Sequence, residues 1–123
     1  MKTRLTCYTL LLTIPAIVLA DDWIFSFRPA AVRYAIYGNS LGDMTAPSSN
    51  DRKIAFEITG RAAREIFDAI GPDLKDLCAA EPGVRFRSRD EERIACTRTR
   101  AGDYTCHFGF DLQSGKSIGG SIC

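Results

Sequence analysis

The stretch RKIAFEITGRAAREIFDAIGP, residues 52–72, decides the fold because the period of its apolar residues changes partway along. In residues 52–58 apolar side chains occupy alternate positions, which predicts a β-strand with one buried face. In residues 59–72 they recur at helical spacing: Ala62, Ala63, Ile66, Phe67 and Ile70. Thr59 is expected to cap this helix, and the closing Gly-Pro pair to end it. We therefore predict an amphipathic helix whose apolar stripe packs on a sheet.

Four further segments on the C-terminal side have the composition of strands. They are VRFRSRD (residues 84–90), RIACTRTR (93–100), YTCHFGFDL (104–112) and SIGGSIC (117–123). The turns between them are short, and those at residues 100–103 and 113–116 contain the glycine that tight hairpins require. The sequence thus predicts an α+β domain, an antiparallel meander packed by one main helix.

The N-terminal side adds two predicted strands and a long loop. DWIFSF (residues 22–27) and AAVRYAIY (30–37) are rich in aromatic and β-branched residues, and the second alternates as a half-buried strand does. GNSLGDMTAPSSND, residues 38–51, consists mainly of turn-forming residues and predicts a loop. This loop is either a mobile connection or a binding loop whose contacts with a partner involve Leu41, Asp43 and Met44.

The first twenty residues have the pattern of a secretory signal peptide. Lys2 and Arg4 precede an apolar run that ends in the small residues before Asp21. The run is too short for a stable transmembrane helix, so we expect cleavage after Ala20 and export to the periplasm or beyond, with no transmembrane segment left. Residues 21–123 then form a single domain of 103 residues with a net charge of −1, which argues against nucleic acid as a partner.

The exported domain keeps four cysteines, Cys78, Cys96, Cys106 and Cys123. An even number of cysteines in a small exported domain predicts two disulfides. A zinc site is the alternative, but no two cysteines have the short spacing typical of zinc ligands, and His107 adjoins Cys106. We therefore expect cross-links, with neither a metal nor a cofactor.

The last hairpin suggests which cysteines pair. A two-residue loop at Ser114-Gly115 would place Cys106 directly opposite Cys123, with a bulge at Gly119-Gly120 to adjust the register. Cys78 would then pair with Cys96. Four cysteines allow three pairings, and this is the one we predict.

Arginines alternate along residues 85–89 and recur on the next predicted strand. They form either a solvent-facing, protected sheet edge or a docking patch for an acidic protein partner. The residues that such a patch would use are Arg85, Arg87 and Arg98. Catalytic groups are sparse, because His107 is the single histidine and no G-x-S-x-G motif occurs. The expectation is a protein that is not an enzyme.

Residues 60–116 resemble a group of small bacterial periplasmic proteins through the helix GRAAREIFDAI and the stretch RIACTRTRAGDYTCHFGFDLQSGK. In that group a helix is followed by disulfide-bearing strands of the form C…Y-x-C…L-x-x-G. Some members are immunity proteins or inhibitors that protect the cell wall from secreted peptidoglycan-degrading enzymes. The resemblance implies an immunity-type inhibitor that occludes a secreted hydrolase, such as an amidase or muramidase, and assigns no functional residue.

Two alternatives to this inhibitor stay open at the level of sequence. The first is an envelope-associated structural or interaction domain without an enzyme partner. The second is a small hydrolase whose activity would depend on His107 or on an acidic residue.

Overall fold

A computed structural model describes residues 25–75 and 81–122 of the chain. Within these residues the chain forms one helix and seven strands. In chain order they are β1 (Ala31–Ser40), β2 (Asp43–Thr45), β3 (Lys53–Thr59), α1 (Gly60–Ala69), β4 (Arg85–Arg89), β5 (Ile94–Arg98), β6 (Tyr104–Asp111) and β7 (Ser117–Ile118). The predicted α+β class and the change from strand to helix after residue 58 agree with this arrangement.

The strands form one antiparallel sheet in the order β2-β1-β3-β6-β5-β4, and β7 pairs with the end of β6. Strands β4, β5 and β6 follow one another as the predicted meander. β6 then returns to lie beside β3, so that Ile58 is opposite Cys106 in the middle of the sheet. The described helix has ten residues, and no helix in residues 25–75 and 81–122 is long and apolar enough to cross a membrane.

Helix α1 covers one part of one sheet face, which we call the helix face. Ala63 and Phe67 of the helix are buried against Cys96 and Cys106, and the Phe67 ring meets the edge of Tyr104 at a centroid distance of 5.3 Å. The opposite side of the sheet is called the cleft face. Directly opposed residues of antiparallel strands share a face, so the register assigns every strand residue to one of the two.

The predicted half-buried pattern of β1 is only partly realised. Val32, Tyr34 and Ile36 lie on the helix face but beyond α1, and they are 46%, 67% and 44% exposed. On the other face Tyr37 is almost completely buried. The helix is too short to reach β1, so an apolar strip of sheet stays open to solvent.

The predicted strand at residues 22–27 is not a strand over its described part. Phe25 and Phe27 lie outside the sheet, and Arg28 instead donates to the carboxylate of Glu65 in α1 at 2.9 Å. Beyond α1, Leu74 forms a β-bridge with Phe86, because its amide donates to the Phe86 carbonyl at 2.8 Å.

The predicted loop at residues 38–51 is also more ordered than expected. It contains the end of β1, a two-residue turn at Leu41-Gly42 and the whole of β2. The rest of the loop folds back toward β1, because the carboxylate of Asp51 accepts the Asn39 amide at 2.6 Å and is paired with Lys53. These two donors hold the pKa of Asp51 below its ordinary value.

The predicted cysteine pairing is wrong, because the structure joins Cys96 to Cys106. These residues lie directly opposite each other on β5 and β6, with their Cα atoms 4.1 Å apart. Such a short separation is typical of a non-hydrogen-bonded pair, where a cross-strand disulfide fits. Cys78 and Cys123 lie outside the described residues, so the structure shows one disulfide where two were expected, and it matches neither predicted pair.

The final hairpin explains the error in pairing. Its turn is longer than two residues, because the Gly115 amide donates to the Asp111 carbonyl and the Asp111 amide to the Lys116 carbonyl. Gly109 therefore faces Ile118, where the predicted register would place Gly120. This shift removes the geometric basis for pairing Cys106 with Cys123.

Candidate binding cleft

A cleft of about 360 Å³ lies on the cleft face at the β1 side of the sheet. Strand residues Ala35, Ala55 and His107 contribute to its floor. One side is lined by the hairpin residues Leu41 and Met44, and the other by Gly120 and Ser121 near the C-terminal end of the described chain. This volume is within the range of small-molecule and side-chain pockets.

Three charged or titratable side chains cross the floor in a row. The register places Arg33 opposite Glu57, and Glu57 opposite His107. Arg33 donates to one carboxylate oxygen of Glu57 through Nη2 at 2.6 Å and Nε at 3.0 Å. The other oxygen lies 3.3 Å from Nε2 of His107. These hydrogen bonds, that of Arg33 foremost, lower the pKa of Glu57, which keeps a carboxylate in the cleft.

The hairpin wall is fixed by Asn39. This residue has a φ of 64°, a conformation that asparagine tolerates better than most residues. Its side-chain amide donates to the carbonyl of Asp43 at 2.9 Å and to the carboxylate of Asp43 at 3.1 Å. Met44 is opposite Asn39 in the register, and its side chain lines the cleft.

The C-terminal wall depends on glycine. A Cβ atom at Gly120 would overlap the backbone of Phe108, and one at Gly109 would lie 3.1 Å from the Gly119 carbonyl oxygen. Residues 119–120 can therefore lie directly on β6. The expected bulge at Gly119-Gly120 is replaced by this close approach, which brings Ser121 beside the cleft.

The arginines predicted to form a docking patch lie on the helix face, away from the cleft. Arg85 and Arg87 both donate to the carboxylate of Asp73, each at 2.7 Å, and Arg87 also donates to the Phe67 carbonyl at 2.8 Å. Arg98 donates to the Tyr104 hydroxyl at 3.1 Å. These contacts give the three arginines a role within the fold; docking of an acidic partner here stays a prediction.

The structure therefore brings some of the predicted residues together. Leu41, Met44 and His107 line one cleft, whereas Asp43 is not one of its lining residues and accepts from the side-chain amide of Asn39. Sequence reasoning missed Arg33 and Glu57. They are 24 positions apart, and only the pairing of β1 with β3 makes them neighbours. The one signal in the sequence was that each of these two predicted strands has a charged residue on its more polar side, and that the two charges are opposite.

The arrangement suits recognition of a side chain with an apolar body and a polar end. Leu41, Met44 and the two alanines offer apolar contact, and the Glu57 carboxylate and His107 offer hydrogen bonds. Within residues 25–75 and 81–122, no three His, Cys, Asp or Glu side chains are placed to hold a metal ion. No family model, curated protein or solved structure matches this chain.

Proposed function

We propose that the protein is an exported inhibitor of the immunity type, which binds a secreted cell-wall hydrolase and blocks its active site. The observation that carries this proposal is the cleft beside the β1–β2 hairpin, with Leu41 and Met44 in its wall. A partner side chain inserted there would be held between apolar walls and over a polar floor. Buried side chains of this kind supply much of the binding energy of protein interfaces.

The position of the β1–β2 hairpin indicates how the inhibitor would meet the hydrolase. Leu41 and Gly42 form the tip of a tight turn, so the segment next to the cleft projects as a narrow edge. With the anchor side chain of the hydrolase in the cleft, the tip would lie against the surface around it. We propose that this surface is the rim of the substrate groove, which the inhibitor then covers.

The compartment is consistent with such a partner. The Cys96–Cys106 disulfide is buried beneath α1, and disulfides that persist in a folded core are typical of exported proteins. Together with the leader pattern of residues 1–20, this favours a place of action in the periplasm or outside the cell.

A small hydrolase is the second candidate, because the cleft contains a serine, a histidine and a glutamate. Glu57 bonds His107, as the orienting acid of a catalytic triad does, and Ser121 lines the same cleft. In that function Ser121 would be the nucleophile and His107 its base. The two candidates share a cleft but differ in what the protein does when it is alone.

One experiment separates them. Purified peptidoglycan is digested by an amidase or by a muramidase, with and without the protein, and soluble fragments are counted. We expect one enzyme to be inhibited at near-stoichiometric protein, and Met44→Asp to weaken inhibition by about tenfold or more. Leu112→Asp is the matched control, because Leu112 is similarly exposed but lies outside the cleft lining.

Two other outcomes would contradict the proposed inhibition. If neither enzyme is inhibited, or if Met44→Asp inhibits as well as Leu112→Asp does, the cleft is not the inhibitory surface. If the protein alone releases fragments and His107→Ala or Ser121→Ala abolishes the release, the second candidate replaces the first.

A further inference from the structure

The outer edge of β1 has no partner strand among the described residues over residues 31–37. On its inner edge this segment pairs with β3, whereas β2 covers only the last part of β1, beginning at Gly38. Side chains 31–36 are all exposed. A free edge of this length is a template for pairing with another chain unless charge, proline or a covering segment blocks it.

The hydrogen-bond pattern shows which groups are available. The Leu112 amide donates to the Arg52 carbonyl at 2.9 Å, so even-numbered residues of β6 and β3 bond each other. Since successive residues turn their backbone groups to opposite edges, odd-numbered residues of β3 bond β1. The N–H and C=O groups of Val32, Tyr34 and Ile36 therefore point outward. The short Cα separation at the disulfide agrees with the same alternation.

We infer that this edge pairs with the same edge of a second copy, antiparallel about a two-fold axis at Tyr34. In that register Tyr34 faces Tyr34 of the second copy, and Val32 faces Ile36. Every outward N–H and C=O group of the free segment then has a partner. The length also fits, because residue 34 is the midpoint of residues 31–37 and β2 begins to cover the strand immediately beyond them.

Charge selects the same register. Arg33 is the single charged residue of the free segment, and its own Glu57 already neutralises it. With the axis at Tyr34, Arg33 faces Ala35 of the second copy. A shift of the axis to residue 33 would oppose two arginines, which is unfavourable. A shift to residue 35 would push the second copy against β2.

The open apolar strip supports a second copy as the occupant. A two-fold axis perpendicular to the sheet keeps both helix faces on one side, so Val32, Tyr34 and Ile36 of the two copies join into one cluster. Both clefts then lie on the opposite side of a continuous sheet. The interface is small and should belong to the class that dissociates on dilution.

The test depends on Tyr34 facing Tyr34 of the second copy. The mass of the purified protein is measured by light scattering or sedimentation over roughly micromolar to millimolar concentrations, where we expect a change from one chain to two. Tyr34→Lys and Tyr34→Glu should each raise the dissociation constant by about tenfold or more, since like charges then face each other. Mixed together, the two variants should form a heterodimer, because Lys then faces Glu.

Phe27→Lys is the matched control, since Phe27 is an exposed aromatic residue outside the sheet, and it should dimerise as the native protein does. Hydrogen exchange of the Val32, Tyr34 and Ile36 amides should slow as concentration rises. A protein that stays a single chain throughout, or two Tyr34 variants that dimerise alone as well as they do mixed, would overturn the inference. Pairing with a different protein would leave the purified chain monomeric, and so would count against it.

Discussion

The two outer edges of the sheet, β4 and β1, differ in whether another described segment covers them. Along β4 the chain returns as residues 73–75, and Leu74 bonds the outer side of Phe86. The β4 arginines extend over the helix end, where Arg89 donates to the Gly71 carbonyl and Arg87 to the Phe67 carbonyl. Along β1 no described segment covers residues 31–37, and the side chains of the strip are apolar.

The difference indicates where stability and recognition reside. The β4 half, which consists of α1 with β4, β5 and β6, contains the disulfide and the hydrogen bond from Arg87 to the Phe67 carbonyl. This carbonyl belongs to the last turn of α1, where carbonyls lack partners within the helix. The β1 half presents an open edge on one side and the cleft on its face. Substitutions in the β4 half should therefore lower the free energy of unfolding, and substitutions in the β1 half should change what the protein binds.

The largest expected contrast is between two aromatic residues. Phe67→Ala empties the centre of the β4 half and should lower the free energy of unfolding by about 3–5 kcal/mol. Tyr34→Ala, in the open strip, should change it by less than about 1 kcal/mol. Urea unfolding of both variants at low protein concentration measures the contrast; equal losses would mean that β1 belongs to the stabilising core.

The disulfide gives the next largest effect. Replacing both Cys96 and Cys106 by alanine should cost about 2–4 kcal/mol, because the cross-link no longer restricts the unfolded chain. Trypsin digestion without reduction should link the peptide of residues 94–98 to that of residues 101–116. A link between residues 101–116 and 117–123 instead would return the pairing to that predicted from the hairpin.

Local periodicity was sufficient to predict the elements near the middle of the chain. The change of period after residue 58 gave β3 and α1, and alternation gave β4, β5 and β6. Local periodicity could not predict which residues face each other on neighbouring strands. The length of one turn, at residues 112–116, decided whether Cys106 faced Cys123, and a short stretch of chain allows several turn lengths.

The cleft was predictable only in part for a similar reason. Leu41 and Met44 stood out as apolar residues among turn formers, whereas Arg33 and Glu57 looked like ordinary solvated positions. The alternation of β1 also predicted a buried apolar side without saying what would bury it. Because α1 has ten residues, it covers β6 and its neighbours but leaves Val32, Tyr34 and Ile36 exposed.

Substitution of one arginine in each half should show the same contrast with smaller losses of stability. The Arg87 side chain is 16% exposed, bonds Asp73 and the Phe67 carbonyl, and lies 4.2 Å from the centroid of the Phe67 ring, whereas that of Arg33 is 82% exposed. Arg87→Ala should cost about 1–3 kcal/mol, and Arg33→Ala less than about 1 kcal/mol. Thermal unfolding of both variants measures the two losses. A larger loss of stability for Arg33→Ala would mean that the β1 half, and not the β4 half, stabilises the fold.

The smallest effect is a pH dependence in the β4 half. Hydrogen bonds from Arg85, and then from Arg87, lower the pKa of Asp73 from 3.8 to about 2. Because the folded-state pKa is the lower one, this carboxylate contributes stability above pH 3.8 that is lost as the pH falls through about 2. Asp73→Asn should therefore flatten the acid side of the stability curve in this interval. The side chain is partly exposed, so the difference should be modest and should shrink in high salt. Urea unfolding across the interval measures it; a variant that loses stability as steeply as the native protein would show that the arginines position the helix end without depending on the charge of Asp73.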